Sequence, residues 1–291
     1  MLTEQIKVNF QQDPVSFLKA EMARFILEAP ENRMPGTETD LIFETPIVGV
    51  ADGDDPLFQQ YKTVVGSFHL TPREVLSKSK PGVRPVKVSV VCWILPVSEA
   101  TRISNRRQKA HPSKRWAYTR HYGEKFNDAV RRHLVQVLTS QGYTAVAPVL
   151  EPYFKMDEVL SGWPSNWSER HACYAAGLGT FSLSDGFITP KGIAMRCGSV
   201  VTDAAIALTP RPYSKHTENC LFYRDGSCIK CIKRCPVGAI TRAGHDKEKC
   251  RIYLLDTLSW LKQDYGVTGY TGCGLCQTAV PCEARIPPKA K

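Results

Sequence analysis

Between Asp13 and Ala29 the chain places Leu18, Met22, Phe25 and Ile26 at helical spacing. Asp13 can cap that turn and Pro14 suits its first position, so a helix is predicted there. "TPREVL" follows the same grammar: Thr71 caps, Pro72 opens and Glu74 completes a capping box. In "PVKVSVVCWILP", Val86, Val88 and Val90 alternate and then run into continuous apolar residues. That pattern predicts a strand buried on both faces, near the middle of a sheet. "EKFNDAVRRHLVQVLTSQG" repeats Phe126, Val130, Leu134 and Leu138 along one face and stops at Gly142, which predicts a helix. "YTAVAPVL" reads as a strand and "SNWSERHACYAAGLG" as a short helix, with Asn166 and Glu169 as its cap pair and Gly177 or Gly179 as its stop. "GIAMRCGSVVTDAAI" reads as a further strand. Strand, helix and strand in this order predict a layered α/β or α+β body rather than a helical bundle.

From about His216 the periodicity fades while Cys, Gly and Pro accumulate. The two prolines of "ALTPRPYSK" set a boundary near residue 210. A separate body is therefore expected over 1–210 and a cysteine-rich module over 211–291. The longest apolar run, "VSVVCWILPV", is about half as long as a membrane-spanning helix. "MLTEQIKVNFQQDP" carries no charged-then-apolar export signal, so a cytoplasmic protein with no membrane partner is expected. In that compartment eleven cysteines do not read as disulfides. Eight of the eleven fall between Cys220 and Cys282, and metal is the natural reason for such crowding.

"CIKCIKRCPVGAI" holds Cys228, Cys231 and Cys235, the last followed by proline. The bacterial ferredoxin run has a further cysteine three positions before the first of these, and its fourth cysteine serves a neighbouring cluster. Asp225 stands at that earlier position here, while Cys220 lies five residues before it, within reach through a turn at Gly226. Thiolate is the softer and better match to iron–sulfur clusters, which favours Cys220 over Asp225 as the ligand. A second set comprises Cys250, Cys273, Cys276 and Cys282. With the crossover, Cys220, Cys228, Cys231 and Cys282 are expected to hold one 4Fe-4S cluster. Cys235, Cys250, Cys273 and Cys276 are expected to hold another. Cys282 is the least regular of these, because its proline precedes it. Gly226, Gly238, Gly272 and Gly274 would let backbone N–H groups approach the sulfurs. Structural zinc on the same C-x2-C pairs is the alternative, and the C-x3-C-P ending speaks against it. Cys92 reads as a small buried hydrophobe, and Cys173 and Cys197 either pack or approach a cofactor.

The ordered series "VAPVLE", "ERHACYAAGLGTF", "CIKCIKRCPVGAI", "KCRIYLL" and "GCGLCQ" resembles epoxyqueuosine reductase and, more distantly, the catalytic core of reductive dehalogenases. The likeness runs from about Arg115 to Cys282. It implies a nitroreductase-like α/β body that binds cobalamin, joined to a ferredoxin-like module whose two 4Fe-4S clusters deliver electrons from a ferredoxin- or flavodoxin-type donor. Gly177, Gly179 and Cys197 are the cofactor-binding candidates on that likeness. The family carries an acidic residue just before its "APxLE" motif, thought to protonate the opening epoxide, where this sequence has Ala145. Another donor is then needed, drawn from Glu151, Glu169, His171 and Tyr174. Glu169, His171 and Tyr174 are the catalytic candidates, and the last two share a helix face. "TFSLSDG" replaces the Gly-Lys pair usual after "GLG", and Lys291 follows Cys282 without the helical repeats that some members use to grip tRNA. These departures imply an iron–sulfur oxidoreductase related to epoxyqueuosine reductase but with a changed substrate. A non-enzymatic electron carrier and an activase for another protein's corrinoid are the rival readings.

The net charge of +10 favours anionic partners. Much of it lies in "TRISNRRQKAHPSKRWAYTRHYGEKF", where Arg102, Arg106, Arg107, Lys109, Lys114, Arg115 and Arg120 alternate with Trp116, Tyr118 and Tyr122. A loop that neutralises phosphates and stacks on bases is expected to look like this, which points to an RNA-linked or other anionic substrate. A cofactor phosphate, an acidic electron donor and plain solvation account for the same composition.

Overall fold

The computed structural model describes residues 9–82, 84–157, 162–268 and 272–288. Helix α1 (Pro14–Glu28) starts where Asp13 accepts a hydrogen bond from Ser16 N at 3.0 Å, and it buries Leu18, Met22 and Ile26. Strand β1 (Ile47–Asp52) and helix α2 (Leu57–Val64) follow, and then α3 (Pro72–Ser79), opened by the full Thr71–Glu74 capping box. Next come β2 (Ser89–Pro96), α4 (Glu99–Arg106), α5 (Lys114–Ser140) and β3 (Ala145–Val146). Helix α6 (Glu169–Ala175), the hairpin β4 (Thr180–Phe181) and β5 (Phe187–Ile188), and strand β6 (Met195–Thr202) complete the first part.

The main sheet has the order β1-β2-β6-β3, with every pairing antiparallel. All of β2 is buried, and successive side chains point to opposite faces. Val91, Trp93 and Leu95 join one apolar cluster with Met22 and Ile26 of α1 and Phe126, Val130 and Leu134 of α5. Val90, Cys92 and Ile94 join a second with Phe58 of α2, Val75 and Leu76 of α3 and Cys173 of α6. The result is a mixed α/β architecture with helices on both faces of one antiparallel sheet. Trp93 faces Gly198 across the β2–β6 ladder, and an added Cβ on Gly198 would stand 2.3 Å from the indole. The Trp93 Nε1 donates to Asn127 Oδ1 at 2.9 Å and Asn127 Nδ2 donates to the Cys197 carbonyl at 3.0 Å, which ties α5 to the sheet.

Three local expectations change. Val86 lies outside β2 and is exposed, because the pairing starts only at Ser89. Asn166 does not cap α6; its amide donates to Tyr153 O at 2.8 Å and accepts from Lys155 N at 3.1 Å, and Ser168 takes the cap position. The basic stretch is mostly helix rather than loop, since α5 begins at Lys114, where Ser113 accepts from Trp116 N at 3.2 Å. Trp116, Ala117, Thr119 and Gly123 then extend the buried face of Phe126 and Val130.

The segment Ile206 to Thr209 runs along β1, with Thr209 N donating to Val50 O and Val50 N donating to Thr209 Oγ1, both at 2.9 Å. Beyond it come α7 (Leu221–Asp225), α8 (Lys230–Arg234), the hairpin β7 (Ile240–Thr241) and β8 (Gly244–His245), α9 (Lys247–Tyr265) and a single 3-10 turn at Leu275–Gln277. Ile240 and Val280 of this segment share an apolar cluster with Leu183, Ile188 and Ile193 of the first part. Among the described residues no helix is long and apolar enough to cross a membrane. Replacing Gly198 with Ala forces the Trp93 indole off the sheet, and the expected cost is about 1–3 kcal/mol, read as a lower urea midpoint at unchanged slope.

Candidate functional site

All eight cysteines of the carboxyl-terminal segment are free thiols, and short local signals bring them together. Cys220 occupies the cap position of α7, and Gly226, in the left-handed region at φ 73°, turns the chain back so that Cys228 can follow. Cys220, Cys228, Cys231, Cys276 and Cys282 line one cavity with Ile188, Ile193 and Val280. Burial pushes the Cys282 thiol up to about 12, and the charges that act on it are those of Cys220, Cys231 and Cys228. Burial likewise pushes Cys250 up to about 11, with Cys273 and Cys235 as its thiol neighbours. Cys276, raised by burial first, has Cys273, Cys250, Cys231 and Cys235 around it. The thiols thus lie near one another, with Cys276 bordering both the Cys220–Cys282 cavity and the Cys250–Cys273 neighbourhood. Ala239 N donates to Cys235 Sγ at 3.2 Å, a backbone amide aimed at sulfur. Asp225 is turned away, accepting from Ser227 N at 2.9 Å and pairing with Arg224 at 3.5 Å. Among the described residues no three His, Cys, Asp or Glu side chains converge closely enough to hold a single metal ion.

Side chains that the sequence reading either passed over or assigned to an anionic surface hold these loops in place. Arg234 of α8 donates to the carbonyls of Leu275 and Thr278, both at 3.1 Å, and of Gln108 at 2.8 Å and Asn105 at 3.3 Å. Asn105 of α4 donates to Cys273 O and to Thr278 Oγ1, both at 3.1 Å, and its own oxygen accepts from Ser113 N at 2.9 Å. Trp116 Nε1 donates to Gly272 O at 2.9 Å, and its ring lies so close over Gly274 that a Cβ there would stand 1.9 Å away. Glu283, beside Cys282 and buried, pairs with Arg106 at 2.6 Å and accepts from Ala279 N at 2.6 Å. No local motif announces most of these contacts, because they join residues far apart in the chain or act through backbone groups, which carry no side-chain signature.

The basic stretch is largely consumed by such packing. Arg102 is buried, 3.3 Å from Glu44, and Arg115 pairs with Asp40 at 2.7 Å. Trp116 is buried, and Tyr118 packs beside Ala117, Leu261 and Val267 where α9 meets α5. Arg107, Lys109 and Lys114 remain exposed.

The candidates of the body lie on and around α6. Glu169 accepts from Arg131 at 3.2 Å and from Ser199 Oγ at 2.6 Å, and Arg131 also binds Asp128 at 2.6 Å and Glu124 at 3.0 Å. Burial pushes Glu169 up to about 7, against the pull of Arg131 and Ser199. The His171 ring sits 4.8 Å from that of Tyr61 and 4.9 Å from that of Phe181, with Nδ1 2.7 Å from Ser168 Oγ. Burial, then the charge of Arg170, hold it down at about 3, so it is neutral near pH 7. Tyr174 lies under the Arg211 guanidinium, 5.7 Å from its ring centre, and burial raises its hydroxyl above the usual range. Gly177 and Gly179 are closed in by the chain itself: a Cβ would stand 2.4 Å from Pro210 O in one case and 2.4 Å from Ile188 O in the other. Cys197 joins Cys173 and Cys92 on the α6 face of the sheet. Glu151 accepts from Ser79 Oγ at 2.8 Å and borders a cleft between α5 and β3, beside Ala145.

No family model matches the chain. Over 120 residues it is 33% identical to epoxyqueuosine reductase of Bacillus anthracis, a stretch that covers 39% of this chain and 29% of that protein. Over 62 residues, 20% of the chain, it is 39% identical to an uncharacterized protein in the gldA 3' region of Geobacillus stearothermophilus, again covering 29% of the relative. The chain thus matches less than a third of the length of either curated relative. In structure it is similar to selenomethionine-labelled epoxyqueuosine reductase, with a TM-score of 0.50 and 18% identity over 92% of this chain and 66% of that one. The likeness to epoxyqueuosine reductase solved with an epoxyqueuosine-modified tRNA-Tyr stem loop has the same TM-score and coverage at 19% identity. The chain is therefore similar to epoxyqueuosine reductase in sequence over part of its length and in fold over most of it.

Proposed function

We propose that this chain is an iron–sulfur oxidoreductase whose carboxyl-terminal segment holds two 4Fe-4S clusters and relays electrons to an acceptor at the body. The observation that carries this reading is the nearness of eight free thiols, five of them lining one cavity, which supports two sets of four ligands. The residues fit such a group. An all-sulfur donor set suits iron–sulfur clusters, and metal binding would deprotonate thiols that burial otherwise keeps protonated. A bound cluster would supply single-electron transfer. The apolar side chains of Ile188, Ile193 and Val280 exclude water from the Cys220 side, and the Ala239 amide steadies the Cys235 sulfur.

A corrin does not fit in the same way. Gly177 and Gly179 are pressed against backbone, and the open clefts of roughly 600 and 500 Å³ border none of the eight cysteines. No step is assigned to it. Of the three acid candidates, Glu169 is the one whose proton is exchangeable near neutral pH, and it is held by Arg131 and the Ser199 hydroxyl between α5, α6 and β6, so we assign it proton delivery. The tRNA stem loop bound by a structural neighbour supports an RNA-linked substrate, which the exposed Arg107, Lys109 and Lys114 would meet through phosphates. Exposed Lys230, Lys233, Arg242 and Lys249 surround the thiol loops and suit an acidic donor protein of the ferredoxin or flavodoxin type.

Anaerobically prepared Cys231→Ala and Cys276→Ala should each lose about half of the iron and of the visible absorbance, and Asp225→Ala should lose neither. Unchanged iron in both cysteine variants would rule out the assignment. Glu169 stands above its ordinary 4.5 in the fold, so its contribution to stability is complete below pH 4.5 and disappears as the pH rises through about 7. Glu169→Gln should therefore flatten the pH dependence of unfolding in that window by on the order of 1–3 kcal/mol, measured by urea denaturation at several pH values.

A further inference from the structure

The two thiol groups face different charges. On the Cys273 side the Arg120 guanidinium lies against Gly272, where an added Cβ would stand 3.3 Å from its Nε. That Nε is buried without a hydrogen-bond partner. The nearby carboxylate of Glu124 is taken by Arg131 at 3.0 Å and Arg196 at 2.8 Å, and among the described residues Arg120 forms no ion pair. Arg234 adjoins Cys235 and spends its N–H groups on neutral carbonyls, including that of Leu275 between Cys273 and Cys276. Two guanidinium groups thus flank this set outside any ion pair among the described residues, and the carboxylates acting nearby are Glu124, already held by Arg131 and Arg196, and the exposed Asp246 at the cap of α9. On the Cys220 side the charges acting on Cys231 and Cys282 are those of other thiols. The cations nearest that cavity are matched or exposed: Arg224 pairs with Asp225, Arg106 with Glu283, and Arg242 stands in solvent, 6.0 Å from the Phe222 ring centre.

A cluster held by four thiolates is an anion, and reduction adds one more negative charge. An uncancelled guanidinium in a medium of low dielectric favours the more negative state. We propose that Arg120 and Arg234 make the cluster held by Cys235, Cys250, Cys273 and Cys276 the more easily reduced of the two, so that an electron entering the module settles there. One electron enters from a low-potential reductant, and no bond is made or broken in the protein. The inference rests on the two-cluster reading, and the iron assay tells the two apart.

The test is an anaerobic titration with dithionite, followed by electron paramagnetic resonance, on reconstituted full-length protein whose iron has been counted. The wild type should show two midpoint potentials, and Cys250→Ala should remove the higher. Arg120→Gln should keep its iron and lower that higher potential alone, while Arg120→Lys, which retains the charge, should stay near the wild type. Unchanged potentials in Arg120→Gln, a shift confined to the lower one, or iron lost from Arg120→Gln but not from Arg120→Lys would overturn the proposal. Wild-type protein that takes up no iron would overturn the cluster reading itself and this inference with it.

Discussion

The thiol loops have little apolar core of their own, and their geometry depends on being fastened to α4 and α5. Arg234 binds four backbone carbonyls in two separate stretches, 105–108 and 275–278, and Asn105 and Trp116 bind the carbonyls of Cys273 and Gly272. Each contact satisfies a polar group that would otherwise be buried unpaired, which costs more to break than it contributes when made. Removing one of these side chains would loosen several cysteines at once. The two regions of sequence that look least alike, a basic stretch and a cysteine-rich tail, form a single structural unit.

The sheet supplies the rigid support. With β2 buried on both faces, α1 and α5 are held on one side and α2, α3 and α6 on the other, so the start of α5 has a fixed position from which to hold the cysteine segment. Strand β3 pairs only with Val201 and Thr202, which leaves the rest of β6 without a partner on that side. A cluster of charges links α5, α6 and β6: Arg131 with Glu124, Asp128 and Glu169, and Arg196 with Glu124. Burying such charges is expensive, and they lie next to Arg120 and the Cys273 loop. An arrangement of this kind suits a place where charge arrives and must be compensated.

Much of the basic stretch has a different use from the one its composition suggests. Arginines and aromatic residues in alternation read as a surface for nucleic acid, yet Arg102, Arg106 and Arg115 find carboxylates within the fold and Trp116 becomes a buried prop. A charged residue reports its sign in the sequence but not its partner. The partners Glu44, Glu283 and Asp40 lie far away along the chain, so only folding reveals that these charges are spent.

The elements with strong local signals were legible without a structure: the Asp13 and Thr71 caps, the doubly buried strand around Cys92, the Phe126–Leu138 face and the crowding of eight cysteines. Each depends on neighbours within one or two turns of chain, and that is the range over which a one-dimensional pattern carries information. Tertiary structure alone decided that α5 starts at Lys114, that Asn166 serves a loop instead of a cap, that Gly177 and Gly179 are closed in by backbone, and that Arg120 lies against Gly272 beside Cys273 with its Nε unpaired. Those outcomes depend on which distant groups meet once the sheet brings them together, and burial then gives each meeting its energy.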